Sequence, residues 1–299
     1  MYQTIAFKSQ RNMIAGRLYE PTASVSNGAA IVIAHGFSGT MDCGLFEYAA
    51  HFAANGFHAL VFDYRYFGQS DGMPRQYLSV SAQRADWRAA INYVRGLDAV
   101  DADRIGLWGY SFSGGHVLHL LAEDPSLRVA VAQCPQIDPF ATAQLSKQYM
   151  TAERASYIQS AVLKDWWGSL IGRRPISLAI APGSDQDHYV MVGPEAVRFS
   201  EIAGPNWVNA IAARSFISGR LNTNNPSAIV DKIRQPVLLQ IADQDRIVSN
   251  EAIETFARRL GHKAQTHHYD TDHFGIALKP HFAQAVGDAT SFFRGHLKV

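Results

Sequence analysis

The stretch GYSFSGG (109–115) joins an apolar run to a helical pattern, and this junction is the most informative one in the chain. RIGLW (104–108) before it is typical of a buried strand, and FSGGHVLHLLAE (112–123) after it is typical of a helix. At a sharp strand-to-helix turn the backbone is strained and one side chain is exposed, while its neighbours must be small because strand and helix nearly touch. Ser111 is the exposed residue in this geometry, whereas Ser113 would lie in the first helical turn, facing neighbouring backbone.

Strand-like and helix-like segments alternate on both sides of this turn. Predicted strands cover 3–8 and 13–19, which form a hairpin, and then 29–34, 57–62, 104–108, 128–133, 236–241 and 264–269. Predicted helices cover 45–55, 82–95, 112–123, 250–260 and 281–296. Apolar strands that alternate with helices predict an α/β fold, with a mostly parallel sheet covered by helices on both faces.

The alternation stops in the middle of the chain, where helical patches and irregular stretches rich in Gly and Pro extend from about Gln136 to Ile233. We therefore predict a core domain formed by 1–135 and 234–299, with an inserted helical lid at 136–233 that lies over one end of the sheet. A chain of 299 residues is long enough for one large domain with such an insertion.

Composition excludes several classes of function. A net charge of +1, with 18% charged residues and no basic run, gives no footprint for nucleic acid or an acidic membrane. The chain lacks an apolar run of about 18 residues, and MYQTIAFKSQ (1–10) is unlike a secretory signal. Because there are only two cysteines, Cys43 and Cys134, a reducing compartment is the simpler interpretation, and we expect a cytoplasmic protein. The oligomeric state, a homodimer included, stays open.

Cofactor signals are also missing from the sequence. There is no P-loop and no G-x-G-x-x-G after a strand, so no nucleotide cofactor is implied. His116 and His119 are three residues apart on a predicted helix, but no third ligand is evident in the sequence, and we expect no metal. No other cofactor is expected.

A serine hydroxyl becomes nucleophilic when a base takes its proton, and a carboxylate must orient that base. PVLLQIADQDRIVS (236–249) offers Asp243 and Asp245 just after a buried strand, and Asp138 follows the strand RVAVAQ (128–133). The carboxyl ends of parallel strands are where open sheets place their sites.

The base is sought among the histidines near the last predicted strand. YDTDHFGIAL (269–278) offers His273 in a loop after that strand. His267 and His268 lie within the strand itself, where a histidine is more often structural. His273 is therefore the preferred base.

GYSFSGG resembles the nucleophile turn G-x-S-x-G of the α/β-hydrolase family, with Ser113 where the last glycine is usual. The resemblance implies an α/β-hydrolase fold and the chain order serine, acid, histidine, hence Ser111, Asp245 and His273 as catalytic residues. Asp245 with the following Arg-Ile-Val resembles the acid of the family pattern G-x-x-D-x-x-V, with Ala242 in place of glycine. Asp243 and Asp138 remain alternatives for the acid.

Two further loops carry the resemblance. AHGFSGT (34–40) resembles the family's His-Gly loop, which implies that the amides of Phe37 and Phe112 form an oxyanion hole and that His35 fixes the loop. FDYRYFGQSDG (62–72) resembles the loop D-x-R-x-x-G-x-S, in which Asp63 and Arg65 would fix the backbone rather than take part in catalysis.

DGMPRQ (71–76), ARSF (213–216) and IADQDRIV (241–248) resemble a bacterial and fungal branch with dienelactone-hydrolase-like esterases and polyketide thiohydrolases or acyl transferases. The resemblance implies a serine hydrolase that cleaves a carboxylic ester or thioester with an apolar acyl or alcohol part through an acyl-enzyme. An acyl transferase with the same three residues is one alternative, and a non-catalytic small-molecule-binding protein on this fold is another.

The predicted lid is rich in aromatic residues. They form the small core of the insertion, or they contact an apolar substrate and exclude water from it. No arginine cluster marks a pocket for phosphate or carboxylate. We expect some of these aromatic residues to contact the substrate. The candidates are Phe140, Trp166, Trp167 and Trp207, with Tyr189 beside them.

Overall fold

An eight-stranded sheet forms the centre of the protein in a computed structural model that describes residues 1–22, 24–183 and 188–297. Its strands are β1 (Tyr2–Ser9), β2 (Asn12–Tyr19), β3 (Ala30–Ala34), β4 (His58–Phe62), β5 (Ile105–Tyr110), β6 (Val129–Gln133), β9 (Val237–Ala242) and β10 (Ala264–Tyr269). Across the sheet they follow the spatial order β1-β2-β4-β3-β5-β6-β9-β10. β1 and β2 form the predicted antiparallel hairpin, β2 is antiparallel to β4, and the remaining pairs are parallel.

Helices cover both faces of the sheet. The helices of the described residues are α1 (Leu45–Ala54), α2 (Val80–Arg95), α3 (Phe112–Glu123), α4 (Pro139–Ser146), α5 (Ala152–Leu170), α6 (Phe199–Ile202), α7 (Asn250–Leu260) and α8 (His281–His296). Five of them cover the sheet. α1 and α8 pack together on one face, where the rings of Phe52 and Phe293 are 5.6 Å apart. α2, α3 and α7 cover the other face. The predicted α/β-hydrolase arrangement of strands and helices is therefore the one observed.

The five residues of β3, AIVIA, are all buried, as expected for a strand covered on both faces. Each fully buried aliphatic side chain of this kind stabilises the fold by about 1.5–3 kcal/mol relative to exposure. Helix α2 begins earlier than the predicted 82–95 because the Ser79 hydroxyl caps it and accepts a hydrogen bond from Ala82 N at 3.4 Å.

The segment between β6 and β9 contains α4, α5, α6 and a small antiparallel pair of strands, β7 (Ser177–Leu178) and β8 (Ile211–Ala212). The buried carboxylate of Asp165 on α5 pairs with Arg214 Nη2 at 2.8 Å and so ties α5 to the chain after β8. Short 3₁₀ helices complete the described chain at Pro194–Arg198, Ala213–Thr223, Pro226–Ala228, Val230–Lys232, Gly261–Lys263 and Gly275–Ala277. The division into a core and a lid at 136–233 stays a prediction.

In the described part of the chain, no helix is both long enough and apolar enough to cross a lipid bilayer.

Candidate active site

Ser111 forms the bend between β5 and α3, with a φ of 57° and a ψ of −116°. A positive φ is strained for a residue with a Cβ, at a cost of about 1–3 kcal/mol that its surroundings must offset. Here the Ser111 amide donates to Gln133 O at 2.8 Å, and its carbonyl oxygen accepts from Gln136 N at 3.0 Å. The neighbouring strand and the loop after it therefore hold the strained turn in place.

Close approach explains the glycines around the turn. A Cβ at Gly109 would lie 2.4 Å from Ser113 O, and one at Gly114 would lie 2.7 Å from Pro135 Cβ. Gly36, in the loop after β3, lies so near that its Cβ would be 2.8 Å from Ser111 Cβ. The loop after β3 and the turn after β5 are thus in direct contact.

Ser111, His273 and Asp245 form a continuous chain of hydrogen bonds. His273 Nε2 is 3.0 Å from Ser111 Oγ, and His273 Nδ1 is 2.6 Å from Asp245 Oδ2. The other carboxylate oxygen, Asp245 Oδ1, accepts from the amides of Ile247 at 2.8 Å and Val248 at 2.9 Å. Because Nδ1 faces a carboxylate, the neutral ring carries its proton there, and Nε2 is free to accept the proton of the Ser111 hydroxyl.

The ring of His273 is fixed by two aromatic neighbours. Tyr110 stacks on it at 5.3 Å between centroids, and Phe274 meets it edge-on at 5.1 Å. Burial raises the pKa of Tyr110, so its hydroxyl keeps its proton and donates to His273 O at 2.5 Å. The imidazole is therefore held in both position and orientation.

The alternative acids and bases lie elsewhere. Asp243 Oδ1 is 2.6 Å from His268 Nδ1 on the partly exposed edge strand, and His267 Nδ1 pairs with Asp288 at 3.0 Å. Asp138 caps the start of α4 and accepts from Phe140 N at 2.8 Å. The structure brings Asp245, and neither alternative acid, into hydrogen-bond contact with His273.

Phe37 and Phe112, the predicted oxyanion-hole residues, line the same cavity as Ser111, and their rings meet edge-to-face at 5.9 Å. Neither backbone amide donates a hydrogen bond to another group within the described ranges. Burial lowers the pKa of His35 to about 4, so its ring is neutral, and its Nδ1 contacts Gly36 O at 3.0 Å. These placements agree with a loop-fixing role for His35 and leave two amides near Ser111 available.

Asp63 binds backbone amides, whereas Arg65 forms a buried ion pair, and neither contacts Ser111 or His273. The two oxygens of Asp63 accept from Met41 N at 2.7 Å and Gln69 N at 2.8 Å. The Arg65 guanidinium pairs with the buried Asp86 at 2.6 Å. Burial raises the pKa of Asp63 to about 6, against the effect of the two amides.

A cavity of about 260 Å³ opens beside Ser111. It is mainly apolar and is lined by Phe37, Ser111, Phe112, Gln136, Pro139, Thr142, Ala143, Ser146, Val190, Met191, Val192, Phe216, Leu221, Asn222, Ile247 and Val248. Sequence reasoning missed the lining residues that the insertion supplies. The only signal for them was the apolar tripeptide VMV (190–192) in a region rich in Gly and Pro.

None of the four predicted substrate-binding aromatics is among the described residues that line this cavity. Phe140 and Trp167 are 63% and 62% exposed. Trp207 stacks on Phe199 at 4.6 Å, and Trp166 borders a separate hollow of about 480 Å³ that shares Phe216 with the cavity. Of the four, Trp166 and Trp167 lie on α5, whose buried residues are Ala161, Asp165 and Gly168.

Cys134, Asp245 and His273 are buried, and their potential ligand atoms lie within 4.8 Å of one another. Asp245 and His273 already contact each other at 2.6 Å, which leaves no room between them for an ion with bonds of about 2 Å. His116 Nε2 contacts Gln83 Oε1 at 2.9 Å within the core. The donor set therefore fits a proton path better than a metal centre.

The sharp turn at Ser111, called the elbow below, and the order of the strands in the sheet are those of α/β hydrolases. The comparison with known families agrees. The family model described as serine aminopeptidase, S33, a hydrolase family, matches residues 26–273. The chain belongs to this family, and the predicted α/β-hydrolase fold is confirmed.

Individual relatives extend over most of the chain. The quorum-quenching protein AidA of Acinetobacter baumannii (strain MDR-ZJ06) is 34% identical over 97% of this chain and 93% of that protein. The thiohydrolase apmlB of Arthrinium phaeospermum is 30% identical over 67% of this chain and 64% of that protein. Other relatives include an acyltransferase, drtE of Aspergillus calidoustus, 35% identical over 41% of this chain and 39% of that protein. The chain is thus similar to enzymes of hydrolysis and acyl transfer.

Solved structures agree in fold. The structure of DcsB in complex with its substrate analogue has a TM-score of 0.82 at 22% identity and covers 99% of this chain and 100% of that one. The α/β hydrolase GrgF from Penicillium sp. sh18 has a TM-score of 0.82 at 20% identity, with 100% of both chains covered.

Proposed function

We propose that the protein is a serine hydrolase that cleaves a carboxylic ester or thioester through an acyl-enzyme. The observation that carries this proposal is the hydrogen-bond chain from Asp245 through His273 to Ser111, which stands at the strained bend with its hydroxyl toward a cavity. A serine hydroxyl paired with an oriented imidazole is the arrangement that acyl transfer requires.

In the first half-reaction, Ser111 Oγ attacks the carbonyl carbon of the substrate while its proton passes to His273 Nε2. The Asp245 carboxylate stabilises the imidazolium, and the amides of Phe37 and Phe112 donate to the negative carbonyl oxygen. The intermediate then collapses. The bond to the leaving oxygen or sulfur breaks, His273 returns the proton to that atom, and the acyl group stays on Ser111.

In the second half-reaction, water attacks the acyl carbon and gives a proton to His273 Nε2. Collapse of this second intermediate breaks the bond to Ser111 Oγ, which regains the proton from His273. The products are a carboxylic acid and the alcohol or thiol released earlier.

The lining of the cavity supports a neutral acyl group with a sizeable apolar part. Its polar members, Gln136, Thr142, Ser146 and Asn222, are uncharged, and no charged side chain occurs among the described lining residues. A volume of about 260 Å³ is slightly below the usual range of ligand pockets, about 300–1,000 Å³. The name of the relative apmlB, a thiohydrolase, agrees with a thioester substrate.

A second, smaller hollow favours hydrolysis over acyl transfer. It is lined by Ser111 and His273 and by Phe199 and Ile202 from α6, and it holds about 20 Å³. A site of about 10–15 Å³ or more accepts one water molecule. The hollow therefore has the volume that the attacking water needs.

A fluorophosphonate probe tests the nucleophile, because it labels an activated serine covalently. We expect labelling of the wild type and of Ser113→Ala, and no labelling of Ser111→Ala. Label retained in Ser111→Ala would overturn the assignment. A wild type that binds esters without reacting would instead indicate the non-catalytic binding protein.

Products and acyl length are tested separately. Incubation with an added alcohol or amine should leave the free acid as the product, and a dominant acceptor ester or amide would indicate the acyl transferase. In a series of acyl chain lengths, preference for acetate over every longer or aromatic group would contradict the apolar acyl site.

A further inference from the structure

One short segment of the insertion reaches the two loops that carry Asp245 and His273. It consists of the 3₁₀ helix Pro194–Arg198 and of α6, which follows it directly at Phe199–Ile202. Two of its charged side chains, Glu195 and Arg198, point to these loops and not to Ser111.

Glu195 is 5% exposed, and its Oε1 accepts a hydrogen bond from the backbone amide of Arg246. The next two amides, those of Ile247 and Val248, both donate to Asp245 Oδ1. Three successive amides are therefore bound by the two carboxylates of Glu195 and Asp245. Burial raises the pKa of Glu195, against the effect of its hydrogen bond from Arg246.

Arg198 performs the corresponding role for the histidine loop. Its Nη1 pairs with Asp272 Oδ2, and Asp272 is the residue just before His273. The other oxygen, Asp272 Oδ1, accepts from Phe274 N at 3.1 Å and Gly275 N at 2.8 Å. Burial alone would raise the pKa of Asp272, but the hydrogen bonds from Gly275 and Arg198 outweigh it and lower the pKa.

Apolar packing accompanies these polar contacts. Phe199, the residue after Arg198, meets Phe274 edge-to-face at 5.5 Å between centroids. The segment thus contacts the chain on both sides of His273, at Asp272 and at Phe274. Val190 and Val192, just before it, line the substrate cavity.

We propose that Glu195 and Arg198 are positioning residues of this enzyme, Glu195 for the triad acid and Arg198 for the histidine. The inference rests on the proposed function, since it assigns a task to residues that do not touch the reacting atoms. It requires that the insertion supplies part of the framework of the triad, besides covering the substrate.

For Glu195 the decisive comparison is Glu195→Ala against Glu195→Gln. Alanine leaves the Arg246 amide without an acceptor, so the loop of Asp245 relaxes. Misplacement of a catalytic group by about 1 Å costs up to about 100-fold. We expect kcat to fall by about 10- to 100-fold in Glu195→Ala with KM within about twofold. Glutamine keeps an oxygen at the Oε1 position and should restore kcat to within about threefold of the wild type.

For Arg198 the matched control is Glu201→Ala. Glu201 is the other partner of Arg198, at 3.0 Å from its Nε, and is exposed to solvent. Arg198→Ala removes the contact to Asp272 and should lower kcat by about 10-fold, whereas Glu201→Ala keeps that contact and should leave kcat unchanged. Arg198→Lys, which keeps the charge, should be intermediate.

Three quantities are measured for each variant: kcat and KM on an ester, the second-order rate constant of fluorophosphonate labelling, and Tm. The proposal is supported if the labelling rate constant of Glu195→Ala and Arg198→Ala falls by the same factor as kcat, while KM is unchanged and Tm shows a folded protein. Wild-type kcat and labelling rate in both Glu195→Ala and Arg198→Ala would overturn it while the proposed function stands. If Glu195→Ala fails to fold, the comparison of Arg198→Ala with Glu201→Ala tests the proposal, because Arg198 is partly exposed. An unlabelled wild type would instead refute the proposed function.

Discussion

The hydroxyl of Ser113 donates a hydrogen bond to the backbone carbonyl oxygen of His35, and so ties the helix after the elbow to the loop that carries Phe37. The same hydroxyl contacts Tyr64 Oη, which accepts from Trp87 Nε1 at 2.6 Å. The residue that departs from the glycine of the family motif is therefore part of a buried hydrogen-bond network that joins the helix beginning at Phe112 to the loop that carries Phe37.

Ser113→Ala should lower the free energy of unfolding by about 1–3 kcal/mol, because it leaves buried partners without a hydrogen bond. Urea denaturation measures this loss. Ser146→Ala, which removes only a half-exposed bond to Thr142 O, should change stability by about 0.5 kcal/mol or less. Equal stabilities of wild type and Ser113→Ala would show that the network contributes nothing.

Asp245→Asn should lower kcat by about 10³- to 10⁴-fold, since an amide no longer selects the correct tautomer of His273. Asp243→Asn is the control from the same loop, because its carboxylate contacts His268 instead. Steady-state kinetics on one ester compares them. A larger loss in the control would transfer the acid role to Asp243.

Gly36→Ala should lower kcat by about 100-fold, because the new Cβ would lie 2.8 Å from Ser111 Cβ and 3.2 Å from Tyr110 O. Gly287→Ala in α8 is the matched control, since its Cβ would meet nothing within 4 Å. It should keep full activity and unfold at the same or a slightly higher temperature. The idea fails if both variants turn over at the wild-type rate.

Stability should fall as the pH is lowered through the range in which the unfolded chain, but not the folded one, protonates His119. Burial lowers the pKa of His119 in the folded protein to about 3, from an ordinary value near 6.5. Between pH 6.5 and 3 the unfolded state therefore binds more protons, and stability decreases as pH falls. From pH 7 to pH 5 the wild type should lose about 2 kcal/mol more than His119→Gln. Parallel pH profiles of the two proteins would contradict this.

Ala143→Phe should shift the preferred acyl chain to a shorter length, because Ala143 lines the cavity and the added ring fills it. Phe140→Ala and Trp167→Ala remove large but exposed side chains and should leave KM within about twofold. If KM rises in either control while the preferred acyl length of Ala143→Phe stays the same, the aromatic residues suggested by the sequence bind the substrate instead.

The sequence predicted the fold because local signals coincided with it: apolar runs for β3 and β5, a glycine-rich bend at Ser111, and strand ends before Asp245 and His273. These residues come together because parallel strands present their carboxyl ends at one edge. Glu195 and Arg198 could not be predicted, since their contacts depend on how the chain between β6 and β9 folds. Nor does the sequence reveal which side of a helix a hydrophobic side chain occupies, so it could not show that Trp167 on α5 is exposed. The substrate contacts of Phe140, Trp166, Trp167 and Trp207 stay a prediction. The cytoplasmic location and the lid boundaries stay predictions.

The uncharged lining of the cavity has a consequence for how substrate arrives. Because no charged side chain occurs among the described lining residues, we expect entry of the proposed ester to depend mainly on transfer of apolar surface out of water. Ionic strength should then hardly affect kcat/KM, since added ions screen only charge–charge attraction.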